Sequence, residues 1–257
     1  MRFASLGSGS EGNALVVEVG QTRIMLDCGF GLRDTCHRLA NKDLGAEQIT
    51  AILLTHEHAD HLQGAVRFAR KYNIPLWMTH GTQQHARRHK GPLPEICVID
   101  SHQSFQIGDI FVQAFPVPHD AREPVQYVFS NGRHRLGVLT DVGAITPHIV
   151  DMLNGCDALV LECNHDTDML RNSPYPPSLK QRIGGQFGHL DNQTAARLLT
   201  QIDTCRLHHL IAAHLSQHNN TPQLALASLA GALGHHPQWL DYADQANGFA
   251  WRHLPQS

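Results

Sequence analysis

Long hydrophobic runs are missing from this chain of 257 residues. The longest, such as Ala158-Leu159-Val160-Leu161, fall far short of the ~20 residues that a bilayer-spanning helix needs, and the start Met1-Arg2-Phe3-Ala4-Ser5-Leu6-Gly7 lacks a signal-peptide apolar core. A cytoplasmic protein with no membrane partner is therefore expected. Cysteines are few and unpatterned: those at 28, 36, 97, 156, 163 and 205 form no CxxC pair, which excludes a cysteine-based zinc finger and reads as buried thiols. Aromatic residues make up only 6%, leaving little capacity for base stacking. A net charge of −3 gives no global attraction for nucleic acid or anionic membrane. Repeats, low-complexity tracts and Ser/Gly/Pro-rich linkers are also absent, so one continuous domain over residues 1–257 is expected. What is abundant is histidine, with 20 residues against 20 Lys and Arg combined.

Short β-type runs recur along the chain. Leu15–Val19 and Arg23–Leu26 flank Gly20-Gln21, a Gly-first turn that suits a type II′ hairpin. Further on, Ile52–Thr55 leads into His56, Phe111–Phe115 leads by way of two prolines to His119, and Leu136–Thr140 leads into Asp141. Leu159–Leu161 precedes Glu162, and Leu210–Ala213 precedes His214. Five expected strands thus deliver a metal-capable or acid-base side chain at the same end, where a sheet can fix positions that loops alone cannot. Between them, Leu62, Ala65, Val66 and Ala69 show helical spacing, as do Ala195, Leu198, Leu199 and Ile202 after Asp191-Asn192. Thr221-Pro222 and Gly234 delimit a third helix, and residues 171–190 read as a long loop. The alternation with an early hairpin predicts an α/β architecture of two mixed β-sheets flanked by helices.

His56-Glu57-His58-Ala59-Asp60-His61 is the densest chemical signal. On a turn after a strand, His56 and His58 can face one ion while Asp60 and His61 face a second. Nitrogen and oxygen donors of this kind suit Zn²⁺, with Mn²⁺ or Fe²⁺ as alternatives.

With these motifs the sequence resembles the metallo-β-lactamase superfamily over nearly its whole length. Asp27 in Leu26-Asp27-Cys28-Gly29 matches the first motif, His56, His58, Asp60 and His61 the second, His119 the third, Asp141 the fourth and His214 the fifth. The resemblance implies an αβ/βα four-layer sandwich holding two divalent metal ions. One would be bound by His56, His58 and His119, the other by Asp60, His61 and His214, with Asp141 bridging and Asp27 orienting a ligand imidazole. It also implies hydrolysis by a metal-bridged hydroxide, since coordination lowers the pKa of water from 15.7 to about 7.

Three subclasses fit poorly. No export signal is present and the bridging position is Asp141 rather than cysteine, unlike periplasmic β-lactamases. Little chain follows His214 to form a glyoxalase II-type helical domain, and the span from Asp141 to His214 is too short for a β-CASP insertion. Instead Leu6–Asn13, Glu162-Cys163-Asn164-His165-Asp166, Gly188-His189-Leu190-Asp191-Asn192 and His214-Leu215-Ser216 closely resemble the bacterial YycJ/WalJ-like branch. By that resemblance Asn13, Asn164 and His165 stand beside the ligands or substrate. Glu162 and His189 are similar to the pair that ribonuclease Z-type phosphodiesterases use around the leaving group: Glu162 would keep His189 protonated, and His189 would donate to the departing sugar oxygen. Asp60 would accept the proton of the attacking water. The branch usually has Ser where this chain has Asp191, which adds negative charge near a phosphate unless Asp191 faces away as a helix cap.

Candidate phosphate-tracking groups are Arg87-Arg88-His89-Lys90, the trio Arg67, Arg70 and Lys71, and the pair Lys180 and Arg182. With no aromatic RNA-binding motif beside them, backbone recognition is favoured over sequence reading. The leading expectation is a phosphodiesterase acting on nucleic acid as an exonuclease. The alternatives are a small-molecule ester, thioester or cyclic phosphodiester hydrolase, and a metal-binding module without turnover.

Overall fold

In the computed structural model, residues 1–88 and 91–255 are described. The strands are β1 (Arg2–Gly7), β2 (Ala14–Val19), β3 (Thr22–Leu26), β4 (Ala51–Leu53), β5 (Leu76–Thr79), β6 (Ile96–Ile99), β7 (Ser104–Ile107), β8 (Ile110–Pro116), β9 (Val125–Ser130), β10 (Arg135–Leu139), β11 (Ala158–Glu162), β12 (His209–Ala213), β13 (Leu240–Tyr242) and β14 (Phe249–His253). The helices are α1 (Leu32–Ala40), α2 (Ala59–Leu62), α3 (Ala65–Tyr72), α4 (His80–Ala86), α5 (Pro147–Leu153), α6 (Thr167–Asn172), α7 (Pro177–Ile183), α8 (Asn192–Leu199) and α9 (Pro222–Leu233). Among the described residues the strands form two sheets, ordered β14-β1-β2-β3-β4-β5-β6 and β13-β12-β11-β10-β9-β8-β7.

Both sheets are mixed, as expected. Within β3 to β6 and within β10 to β13 the strands run parallel, while β14-β1-β2-β3 and β7-β8-β9-β10 form antiparallel ladders. The β2–β3 hairpin turns at Gly20 with φ +56°, and Gln21 keeps an ordinary negative φ, as a type II′ turn requires. β11 is buried along its whole length, which fits an apolar strand covered on both faces.

Three apolar layers follow from that burial. Phe3, Leu53, Tyr127, Phe129, Val138 and Val160 fill the space between the sheets. Leu39, Val66 and Phe68 pack helices onto the first sheet, and Ile149, Leu198 and Leu229 pack helices onto the second. The result is the expected four-layer sandwich.

Local chemistry departs from the sequence reading at two points. The stretch with Leu62, Ala65, Val66 and Ala69 is two helices, because the Gly64 N–H leaves the helix to donate to Cys28 O at 2.9 Å. A Cβ at Gly64 would lie 1.8 Å from Phe30 O, so only glycine permits this approach. Residues 171–190, expected to be a loop, contain α7. Pro177 starts it and Gly184 ends it, yet it buries no residue and so carries no apolar stripe to read.

Candidate active site

Asp27 stands one residue beyond β3, and its N–H donates to Leu53 O on the parallel neighbour β4 at 2.7 Å. Its carboxylate accepts the Thr55 N–H at 2.9 Å, the Thr55 hydroxyl, and His61 Nδ1–H at 2.8 Å. That bond turns His61 Nε2 inward, where it lies 3.1 Å from the Asn13 amide nitrogen. Thr55 Oγ1 also lies 3.0 Å from His56 Nδ1, so His56 presents Nε2 in the same way. Asn13 ties down the other side of the turn: its N–H donates to Asp60 O at 2.8 Å and its amide donates to Asp60 Oδ2 at 3.3 Å.

The second sheet meets this turn with single side chains. In the parallel trio β10-β11-β12, Leu139 pairs with Leu161 and Leu161 with Ala212, so Glu162, the last residue of β11, and Asp141 and His214, just past β10 and β12, emerge at the aligned ends. His119, three residues past β8, donates from Nδ1 to Gly188 O at 3.1 Å, which aims Nε2 at the centre. The His214 N–H donates to Ser8 Oγ at 2.9 Å, and the Asn164 amide donates to His214 O at 3.0 Å.

Donor atoms of His56, His58 and His119 lie within 4.8 Å of one another, as do those of Asp60, His61, Asp141 and His214. Asp141 also groups with Glu162, His189 and His214. Buried atoms His56 Nε2, His214 Nε2 and Asp141 Oδ2 have no hydrogen-bond partner of acceptable geometry. Orphaned polar atoms are costly, and these three converge on one place, which is what a divalent cation would satisfy. Charge agrees with that fit. Burial pulls His61 down, but Asp141, Asp27 and Asp60 outweigh it and hold the imidazole well above its ordinary value. His214 is raised in the same manner, to about 9, burial being overcome chiefly by Asp141 and Asp60. Asp27, Asp60 and Asp141 thus surround these imidazoles with carboxylates, a setting that favours positive charge at this place.

Backbone strain marks the same residues. Asp27, Asp141 and His214 adopt φ of +60°, +54° and +55°. A left-handed conformation costs about 1–2 kcal/mol in a non-glycine residue, so three of them at one centre is strain held by the surrounding hydrogen bonds.

Beside the donors, His189 Nδ1 lies 2.9 Å from Glu162 Oε1 and 3.8 Å from Asp141 Oδ1. Glu162 is fully buried and accepts the N–H groups of Asp141, Val142 and Leu190 at 3.0–3.2 Å. Burial lowers the His189 imidazole, but the Glu162 charge and hydrogen bond, with Asp141, more than reverse it and leave it raised. Asp191 is a helix cap: Oδ1 accepts Gln193 and Thr194 N–H, and Oδ2 accepts the Thr194 hydroxyl. Its charge is therefore spent on α8. His165 is buried beside Asn164 and belongs to none of the donor groups.

The basic groups divide. Arg182 pairs with Asp120 at 2.6 Å, and Asp120 Oδ1 stands 3.5 Å from His119 Nε2 and 3.8 Å from His58 Nε2, so Arg182 reaches the rim of the centre. Lys180 instead donates to Arg171 O. Arg67, Arg70 and Lys71 lie on α3, Arg87 and Arg88 lie at the end of α4, and His89 and Lys90 fall outside the described residues. Sequence reasoning missed Thr55 and Asp120. Each directly adjoins a ligand candidate in the chain, which is the signal that would have found them.

Comparison with known proteins agrees with this geometry. Residues 22–214 match the model of the β-lactamase superfamily domain. The chain is 35% identical over 237 residues to exodeoxyribonuclease YycJ of Bacillus anthracis, covering 91% of this chain and 89% of that protein. It is 32% identical over 240 residues to exodeoxyribonuclease WalJ of Streptococcus pneumoniae, covering 90% and 88%. In fold it is similar to the crystal structure of Zn²⁺-bound PqqB from Methylobacterium extorquens, with a TM-score of 0.77, 17% identity, and coverage of 99% and 100%.

Proposed function

The chain belongs to the metallo-β-lactamase superfamily, in its YycJ/WalJ-like branch, and we propose that it is a dinuclear metal-dependent phosphodiesterase that removes nucleotides from the ends of DNA. His56, His58 and His119 would hold one divalent ion, Asp60, His61 and His214 the other, and Asp141 both. Five imidazoles with two carboxylates favour zinc, with manganese or iron as substitutes. Bound there, the ions supply Lewis-acid activation of water and neutralise charge on the attacked phosphate.

The residues around them supply positioning and protons. Asp60, the more exposed of the two carboxylates among these donors, would take the proton of the attacking water. His189, its Nδ1 engaged by Glu162, would give the proton on Nε2 to the departing sugar oxygen, so a water and a diester become a phosphate monoester and an alcohol. The His189–Glu162 pair beside Asp141 is the observation that carries this reading, because an imidazole that a buried carboxylate keeps cationic beside the donor cluster can protonate a leaving oxygen. Asp27, Asn13 and Asn164 would orient ligands, and His165 would back the wall of the site.

The shared core between the sheets supports reading residues 1–257 as one domain. Among the described residues no helix is long and apolar enough to cross a membrane, which is in keeping with a cytoplasmic enzyme. The test is an assay of Zn²⁺- and Mn²⁺-loaded protein, beside Asp60→Ala, on 5′-phosphorylated duplex DNA, single-stranded RNA, bis(p-nitrophenyl) phosphate and a thioester. Cleavage of DNA that is lost in Asp60→Ala is expected. Thioester turnover without nucleic-acid cleavage would overturn the proposal.

A further inference from the structure

One aromatic ring breaks the rule that this chain has little to stack on. Phe187 is 60% exposed, more than any other large apolar side chain among the described residues. It sits two positions before His189, and the Gly188-His189 segment that follows it lines a small cleft with Asp120, Arg182 and Ile183.

The backbone under this ring is rigidly held. Phe187 O accepts the Asp120 N–H at 3.0 Å, Gly188 O accepts His119 Nδ1–H at 3.1 Å, and the His189 N–H donates to Ile183 O at 2.8 Å. Gly188 packs so tightly that a Cβ there would lie 2.2 Å from the carbonyl oxygens of Arg182 and Ile183. Phe187 is therefore not a side chain on a slack loop. Its backbone is fixed to the same His119 and Asp120 that border the metal-capable centre, while its ring stands in solvent. The partly exposed members of the centre, His58, Asp60, Asp120 and His189, mark the open side of the site. Arg182 adds an exposed cation to the cleft wall.

Resting on the phosphodiesterase reading, we propose that Phe187 is the stacking platform for the base of the nucleotide next to the scissile bond. A ring on a preorganised backbone offers a sequence-tolerant surface, since every base has a π-face. The other strongly exposed phenylalanine among the described residues, Phe111, lies on β8. A single ring at this place engages one unstacked base. That suits a strand end, where a base leaves its neighbours at least cost.

The test is steady-state cleavage of a single-stranded oligonucleotide and of the same oligonucleotide with abasic residues at both termini, by metal-loaded wild type, Phe187→Ala and Phe187→Trp. Phe187→Ala is expected to raise KM on the base-bearing strand by about 5- to 150-fold, the range one stacked base commands. The KM advantage of base-bearing over abasic ends should collapse in Phe187→Ala and survive in Phe187→Trp. If wild type cleaves the strand but Phe187→Ala keeps that advantage, or loses equally on both substrates, the platform is wrong while the phosphodiesterase reading stands. If wild type cleaves no nucleic acid, that reading fails and the platform falls with it.

Discussion

The two sheets furnish the same centre by opposite means. The first sheet delivers His56, His58, Asp60 and His61 from one turn and one short helix after β4. The second delivers His119, Asp141 and His214 singly from beyond β8, β10 and β12, and Glu162 from the last position of β11. The first half is local and is braced by side chains, namely Asp27, Thr55 and Asn13. The second half is assembled by strand register, with the fully buried Glu162 gathering the N–H groups of Asp141, Val142 and Leu190. The contiguous motif should therefore tolerate loss of one brace better than the register-built set tolerates loss of Asp141 or Glu162.

Asp141 faces both halves, so its removal should cost most. Asp141→Asn is expected to lower kcat/KM on DNA by about 10³-fold or more, the several kcal/mol that metal-borne charge stabilisation supplies, and metal content by mass spectrometry should fall with it. Equal losses for His58→Ala would erase the distinction between the halves. Next comes the proton donor on the second half: His189→Ala should reduce kcat by about 10²–10⁴-fold in single-turnover assays. Its brace is distinguishable, because Glu162→Ala also strands three buried backbone N–H groups and should lower unfolding stability by roughly 3 kcal/mol or more, read by denaturant titration.

On the first half, Asp27→Asn should weaken metal affinity by about 10–100-fold while activity recovers at saturating metal, measured by competition with a chromophoric chelator. Packing is tested at Gly29, where a Cβ would meet Asp60 O at 1.8 Å: Gly29→Ala should cost at least about 1–3 kcal/mol in denaturant melts, whereas a mild effect would show that the turn has slack. Smallest is Asp191→Ala, which removes the α8 cap and should cost about 1 kcal/mol, with Asp191→Ser recovering most of it and DNA affinity unmoved.

The comparison also explains what was legible in the residues. The contiguous turn His56–His61 and the strand ends before Asp141 and His214 were readable, because alternation of apolar runs with acid-base residues is a local property. α7 was not, since a helix that buries nothing has no periodic stripe. The break at Gly64 was hidden because its cause is the carbonyl of Cys28, far off in the chain. Thr55 and Asp120 were passed over because neither is a strong ligand type by spacing, and their importance lies in what stands across from them.

Donor identity and order along the chain, then, belong to the sequence, as do the α/β class and the turn chemistry at Gly20. Only the tertiary structure decided that Asp191 faces α8, that Glu162 binds the backbone on either side of it, that Arg182 reaches the rim through Asp120 and that Phe187 stands exposed beside His189. The physical reason is range. Hydrophobic periodicity and turn preference act within a few residues, whereas hydrogen bonds and burial across parallel strands depend on register, which no short stretch of sequence encodes by itself.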